Sequence, residues 1–305
     1  FKKVIINTNN NELFQTFKIF FQQKKITIGL YSNKKSFKFK NFFSIVLKIF
    51  FNFKSFLWFL REILLAIPFV FSKNKLKKNN LTEKKITFIS YLSEDEFKNS
   101  ANKINQNFWG PLPDYLNKEK IPTLWIFLPS RRLNLIKTFK FFINLKNTNS
   151  YQVHNLLSSY LNLKVVKKTL RDYLLIYKKS NEIIKTMEKF CGYYWPLIKN
   201  DSLKSFHSSE AISSIYSLAL FEEVSKKASL SNKAVFLYEN QSWEKGFINS
   251  FQSKNIDVIG FAHSTIRYWD LRYFNFNSTE DCECLNSSLN PEPNFIAVHG
   301  KKDKN

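Results

Sequence analysis

Two ionisable residues close successive apolar runs, and together they could move a proton. Glu239 ends the run Lys233–Glu239 (KAVFLYE) and His263 ends Asp257–His263 (DVIGFAH). Both runs are short, rich in Val, Ile and Phe, and bounded by polar residues, so each reads as a buried strand. If these strands are parallel neighbours, a carboxylate and an imidazole reach the C-terminal edge of one sheet. That edge is where α/β sheets hold ligands. An imidazole titrates near neutrality and can take a proton from a hydroxyl group. Structural roles fit the same residues: Glu239 can complement the dipole of a following helix, and a histidine can be a hydrogen-bonded core residue. That following helix opens in Asn240-Gln241-Ser242-Trp243-Glu244, with Ser242 as the expected N-cap.

Other candidates are thinner. Arg131 and Arg132 follow the run Thr123–Leu128 through Pro129 and Ser130. They fit either a bidentate phosphate grip or a solvated loop. Asp201 to Ser209, which includes His207, reads as a loop before a helix. Free amides there suit an anion, and its serines suit capping equally well. The three cysteines, Cys191, Cys282 and Cys284, are too few and too uneven for a disulfide framework. Cys282-Glu283-Cys284 also lacks the four spaced ligands of a zinc site, so the sequence gives no metal centre. No G-x-G-x-x-G or Walker pattern follows any apolar run, which removes the common dinucleotide and P-loop readings.

The elements that must position these residues alternate. Lys3–Asn7, Ile26–Tyr31, Lys85–Leu92, Thr123–Leu128, Lys233–Glu239, Asp257–His263 and Phe295–Val298 read as strands. Ser208–Lys227 has helical spacing in Ile212, Ile215, Leu218 and Leu220, and the region 130–200 reads as mainly helical. Strand and helix in alternation predict an α/β fold with a mostly parallel sheet and flanking helices.

Residues 42–71 stand apart, being apolar almost all round. Lys48, Lys54, Arg61 and Glu62 interrupt them, and the longest uncharged stretch is Ile63–Ser72. A span needs about 20 nearly uncharged residues, so these residues are not expected to cross a bilayer. Two arrangements remain: a helical pair packed on protein, or an amphipathic hairpin in the membrane interface.

The formal net charge of +23 invites an anionic partner. Lys, Asn, Ile and Phe are all abundant while Gly numbers only 6, a pattern of A/T-rich coding that spreads lysines over solvated faces. Basic runs such as Lys73-Asn74-Lys75-Leu76-Lys77-Lys78 lack the aromatic interleaving of a nucleic-acid platform. Nucleic acid is therefore not the expected partner. An anionic membrane surface, a nucleotide sugar or a phosphorylated acceptor fits better.

Tyr238-Glu239-Asn240-Gln241-Ser242-Trp243-Glu244, Ile259 to Thr265 and Arg267 to Phe274 resemble a family of bacterial surface carbohydrate (O-antigen-type) biosynthesis proteins. Asn107 to Pro113 (NFWGPLP) and Trp195 to Ser208 agree, so the resemblance touches most of residues 85–300. It implies the N-terminal half of a GT-B glycosyltransferase, in which two Rossmann-like domains face each other. On that reading, 1–84 is an N-terminal α/β portion with the apolar helical insert 42–71. Residues 85–290 form the Rossmann-like domain, and 291–305 begin a truncated second domain. The resemblance makes His263 the base and Glu239 its acidic partner. Arg267 and Arg272 would steady phosphate or acidic sugar, Trp269 would stack on sugar, and Ser264 and Gln241 would bind substrate. Ser264 stands where the more distant transferase relatives have Gly. The expected function is sugar transfer from a nucleotide-activated donor to a glycan or lipid-linked acceptor, with no cofactor. It would take place in the cytoplasm or at the inner face of the cytoplasmic membrane. A non-catalytic assembly or binding protein on the same fold is the second expectation.

Overall fold

The computed structural model describes residues 3–7, 11–23, 27–31, 40–72, 85–93, 108–129, 133–145, 151–227, 231–239, 241–262 and 291–298. In chain order the first elements are β1 (Lys3–Asn7), α1 (Asn11–Gln23), β2 (Thr27–Tyr31), α2 (Lys40–Ser72) and β3 (Lys85–Leu92). Then come α3 (Leu112–Lys118), β4 (Thr123–Pro129), α4 (Leu135–Leu145), β5 (Gln152–Leu156) and α5 (Leu163–Cys191). The last are α6 (Trp195–His207), α7 (Ser209–Lys227), β6 (Ser231–Leu237), α8 (Ser242–Gln252), β7 (Asp257–Phe261) and β8 (Phe295–Ala297).

The chain forms two compact units. The first comprises 1–61 and 167–215, and the second 62–166 and 216–305. This division differs from the sequence expectation, which placed boundaries after 84 and 290. Helices far along the chain return to the N-terminal unit, and a linear reading of composition carries no sign of that.

In the first unit, β1 and β2 form a parallel pair joined by α1. Phe20 of α1 meets Tyr193 edge-on with centroids 5.2 Å apart, and Asn200 of α6 donates to the Glu12 carboxylate. Tyr173 of α5 donates to Asn52 Oδ1 at 2.7 Å, which ties α5 to α2. Residues 42–71 are neither a pair nor a hairpin, since α2 is one helix of 33 residues that accommodates Pro68. Among the described residues no helix is long and apolar enough to cross a membrane.

The second unit is built on a parallel six-stranded sheet in the order β5-β4-β3-β6-β7-β8. Counted within the sheet, that is 3-2-1-4-5-6, the Rossmann order. The central strands β3 and β4 are buried on both faces, which explains their nearly continuous apolar sequences. One face carries Phe88, Trp125 and Phe127, covered by Phe69 of α2, Leu116 of α3, and Phe141 and Phe142 of α4. Phe236, displayed on the opposite face, packs on Phe247 of α8 at 5.3 Å, and Phe221 of α7 packs on the same Phe247 ring at 5.4 Å. Each large side chain so buried contributes about 1.5–3 kcal/mol relative to leaving it in water.

One strand of this sheet departs from expectation. β5 lies inside the region read as helical, because Gln152, His154 and Asn155 break the apolar run that marks a buried strand. All three are buried, and the Gln152 amide donates to the Pro113 carbonyl at 2.6 Å. Phe295–Ala297, expected as a strand, pairs in parallel with β7 at the edge of this sheet.

Candidate functional site

The reversal of strand order falls between β3 and β6, which run side by side in parallel. Connections leave these two strands in opposite directions, so a crevice opens beyond their C-terminal ends. Tyr91 stands at that end of β3, and Glu239 lies two residues past the end of β6.

The two side chains meet. Tyr91 donates its hydroxyl proton to Glu239 Oε2 at 3.4 Å and accepts the indole N–H of Trp243 at 3.3 Å. An indole only donates and a carboxylate only accepts, so the direction of this chain is fixed. The Trp243 ring stands edge-on to Tyr91 at 6.1 Å and stacks on Phe221 at 5.8 Å. Burial is the main cause that pushes the Tyr91 phenol up to about 12; the indole hydrogen bond opposes it, and the charges of Glu239 and Glu244 reinforce it. At neutral pH Tyr91 is therefore a fixed hydrogen-bond donor that orients one carboxylate oxygen.

The backbone of Glu239 is held separately. Glu244, fully buried in the first turn of α8, accepts the Glu239 N–H on Oε1 at 3.0 Å. A carboxylate there satisfies an N–H and complements the positive end of the helix. The helix-complementing role that the sequence left open for Glu239 thus belongs to Glu244. Gln241, not Ser242, is the N-cap residue, and it is exposed without a capping side-chain bond. Tyr91, Glu239 and Trp243 all remain partly accessible, so this is a site a polar ligand can reach.

His263, Ser264, Arg267, Trp269 and Arg272 lie outside the described residues, as do Arg131, Arg132, Cys282 and Cys284. Ala262, immediately before His263, donates its N–H to Ala297 O at 3.0 Å, continuing the line of β7. The expected loop 201–209 is the last turns of α6 and the start of α7, where Ser205 back-bonds to Asp201 O at 2.8 Å. His207 is buried in the first unit, edge-on to Tyr177 at 5.6 Å.

Trp109 and Gly110, quoted for the resemblance, have a structural role. Gly110 takes φ +51°, a conformation costly for other residues. The turn seats Trp109 against Phe88 and Trp125, and its indole donates to Ser90 Oγ at 3.0 Å. A cavity of about 410 Å³ lies beside it, lined by Phe88, Trp109, Val235, Ile259 and Phe261, with Lys233 the one charged group among its described lining residues. Neither Tyr91 nor Glu239 lines it. The hydrogen-bonded polar groups Tyr91, Glu239 and Trp243 meet at the strand ends, outside that cavity.

Sequence reasoning did not select Tyr91, Trp243 or Glu244. The available signals were a tyrosine closing an otherwise apolar strand and a Glu two residues into a helix. No protein family, curated protein or solved structure was found to match this chain.

Proposed function

We propose that the chain belongs to a glycosyltransferase-type protein of bacterial surface polysaccharide assembly, as the sequence resemblance implies. It would move a sugar from a nucleotide-activated donor to a glycan or lipid-linked acceptor. The supporting observation is Glu239, oriented by Tyr91 and flanked by Trp243, at the switch point of a Rossmann-ordered parallel sheet. A carboxylate beside a phenol and an indole suits a sugar, whose hydroxyls donate to the carboxylate while its C–H face lies on aromatic rings.

In this reaction the acceptor hydroxyl oxygen bonds to the donor's anomeric carbon and gives its proton to His263. The bond from that carbon to the donor phosphate breaks, and the nucleotide leaves with the electron pair. Glu239 binds or orients the acceptor hydroxyl. Arg267, Arg272, Trp269, Ser264 and Gln241 complete the proposed substrate contacts. Lipid-linked acceptors would be met at the inner face of the cytoplasmic membrane.

The test is saturation-transfer NMR and a turnover screen of the protein with nucleoside diphosphate sugars and oligosaccharide acceptors. Nucleotide release that depends on acceptor, and falls at least tenfold in Glu239→Gln, supports the proposal. Glycan binding without turnover would assign the protein to the non-catalytic assembly class instead. Neither binding nor turnover would end the carbohydrate reading.

A further inference from the structure

Helix α2 presents an apolar face that the described residues leave uncovered. Ile49, Phe50, Phe53, Phe56, Leu57 and Leu60 are all exposed in the first unit, Ile49 at 64% and Phe53 at 61%. At 3.6 residues per turn, these positions fall within an arc of about 120° that runs for about 17 Å. The opposite side of the helix in this unit holds its buried residues Ser55 and Phe59. The face is therefore a second apolar stripe, additional to the one that packs inward. Folded monomers rarely leave so long a continuous apolar patch to water.

We propose that this face docks the chain on the surface of an anionic lipid bilayer, with α2 lying in the headgroup plane. The charges decide the occupant. Lys54 and Arg61 are exposed, one heptad apart, along one margin of the arc, and the helix's single acid, Glu62, is half-buried off the arc. Apolar side chains centred in an arc with cations at its margin are the arrangement of an interfacial helix. The long cationic stems reach up to anionic phosphates while the rings and Leu side chains enter the acyl boundary. The net charge of +23 adds long-range attraction to such a surface. A second copy of this helix fits less well. Antiparallel pairing sets Lys54 and Arg61 against the same two cations of the other copy, and parallel pairing sets them against Ile49 and Phe56, with no carboxylate of the helix in either case. The inference rests on α2 alone and not on the proposed sugar chemistry.

Vesicle flotation of the full chain tests it, with phosphatidylcholine vesicles and with vesicles containing one-third phosphatidylglycerol. The chain should float with the anionic vesicles and partition at least tenfold less onto neutral ones. Phe53→Ser with Leu57→Ser and Leu60→Ser should cut anionic partitioning at least tenfold while circular dichroism stays unchanged. Lys54→Glu with Arg61→Glu, which leaves the apolar face intact, should lose binding to anionic vesicles and weaken in its salt dependence. Equal flotation of both variants and the parent chain would overturn the proposal. So would a dimer by sedimentation velocity that the triple variant dissolves with no change in flotation, because the face would then belong to a second copy.

Discussion

The Tyr91 phenol links two elements of the site by donating to Glu239 Oε2 at 3.4 Å while accepting from Trp243 Nε1 at 3.3 Å. Its proton is held by burial and by the nearby carboxylates, which raise it to about 12. Alkaline difference absorbance should therefore show one tyrosine with a midpoint near 12 that vanishes in Tyr91→Phe. In Glu239→Gln the same midpoint should fall, since the amide carries no charge to oppose phenolate formation. An unmoved midpoint would mean that the carboxylate does not face the phenol in solution.

His154 gives a pH dependence of stability. It lies buried between Trp125 and Phe127, its ring roughly parallel to both at 6.5 and 6.0 Å, and burial lowers it to about 4. The unfolded chain takes up this proton near 6.5 and the folded chain only near 4. Between those values the unfolded state binds more protons, so stability is full above 6.5 and falls as pH drops toward 4. The loss is about 3 kcal/mol from this residue. Urea unfolding from pH 7 to 4 should be correspondingly flatter in His154→Gln, and parallel curves would refute the assignment.

Most of the sheet was legible because its strands are apolar, short and bounded by polar residues, as in Lys85–Leu92 and Thr123–Pro129. β5 was hidden because its polar residues Gln152, His154 and Asn155 are buried by tertiary partners that no local pattern displays. α2 was misdivided because it is apolar on two faces, which erases the amphipathic period that would show a single helix. Glu239 was legible from its place at a strand end. Tyr91 was not, since an aromatic closing a strand is ordinary until the register brings β6 alongside.

Gly260 of β7 should resist substitution. A Cβ there would lie 3.2 Å from Cβ, Cγ and Cδ1 of Tyr238, the residue next to Glu239. Tyr238 is itself buried and packs on Phe236 at 5.6 Å, so it has little room to yield. Gly260→Ala should destabilise by about 1–3 kcal/mol. Adding Tyr238→Ala should relieve part of that cost, measured as a coupling in a double-mutant cycle. Strict additivity would show that the close approach does not matter.

Glu239 and His263 should act as one unit in turnover. Glu239 sits at the C-terminal end of β6, and the strand beside it, β7, runs into Ala262 and then His263. If His263 takes the acceptor proton, His263→Asn should lower turnover by about 10²–10⁴. Glu239→Gln should lower it as well, by freeing the acceptor hydroxyl or the imidazole to misalign. Groups that act as one unit are not additive, so the double variant should cost less than the product of the single effects. Tyr91→Phe supplies the control on positioning. It leaves both ionisable groups in place and should cause a smaller loss, with the pH profile of kcat/KM unchanged in shape. A purely structural histidine would behave differently, since His263→Asn would then lower the melting temperature and leave turnover per folded molecule unchanged.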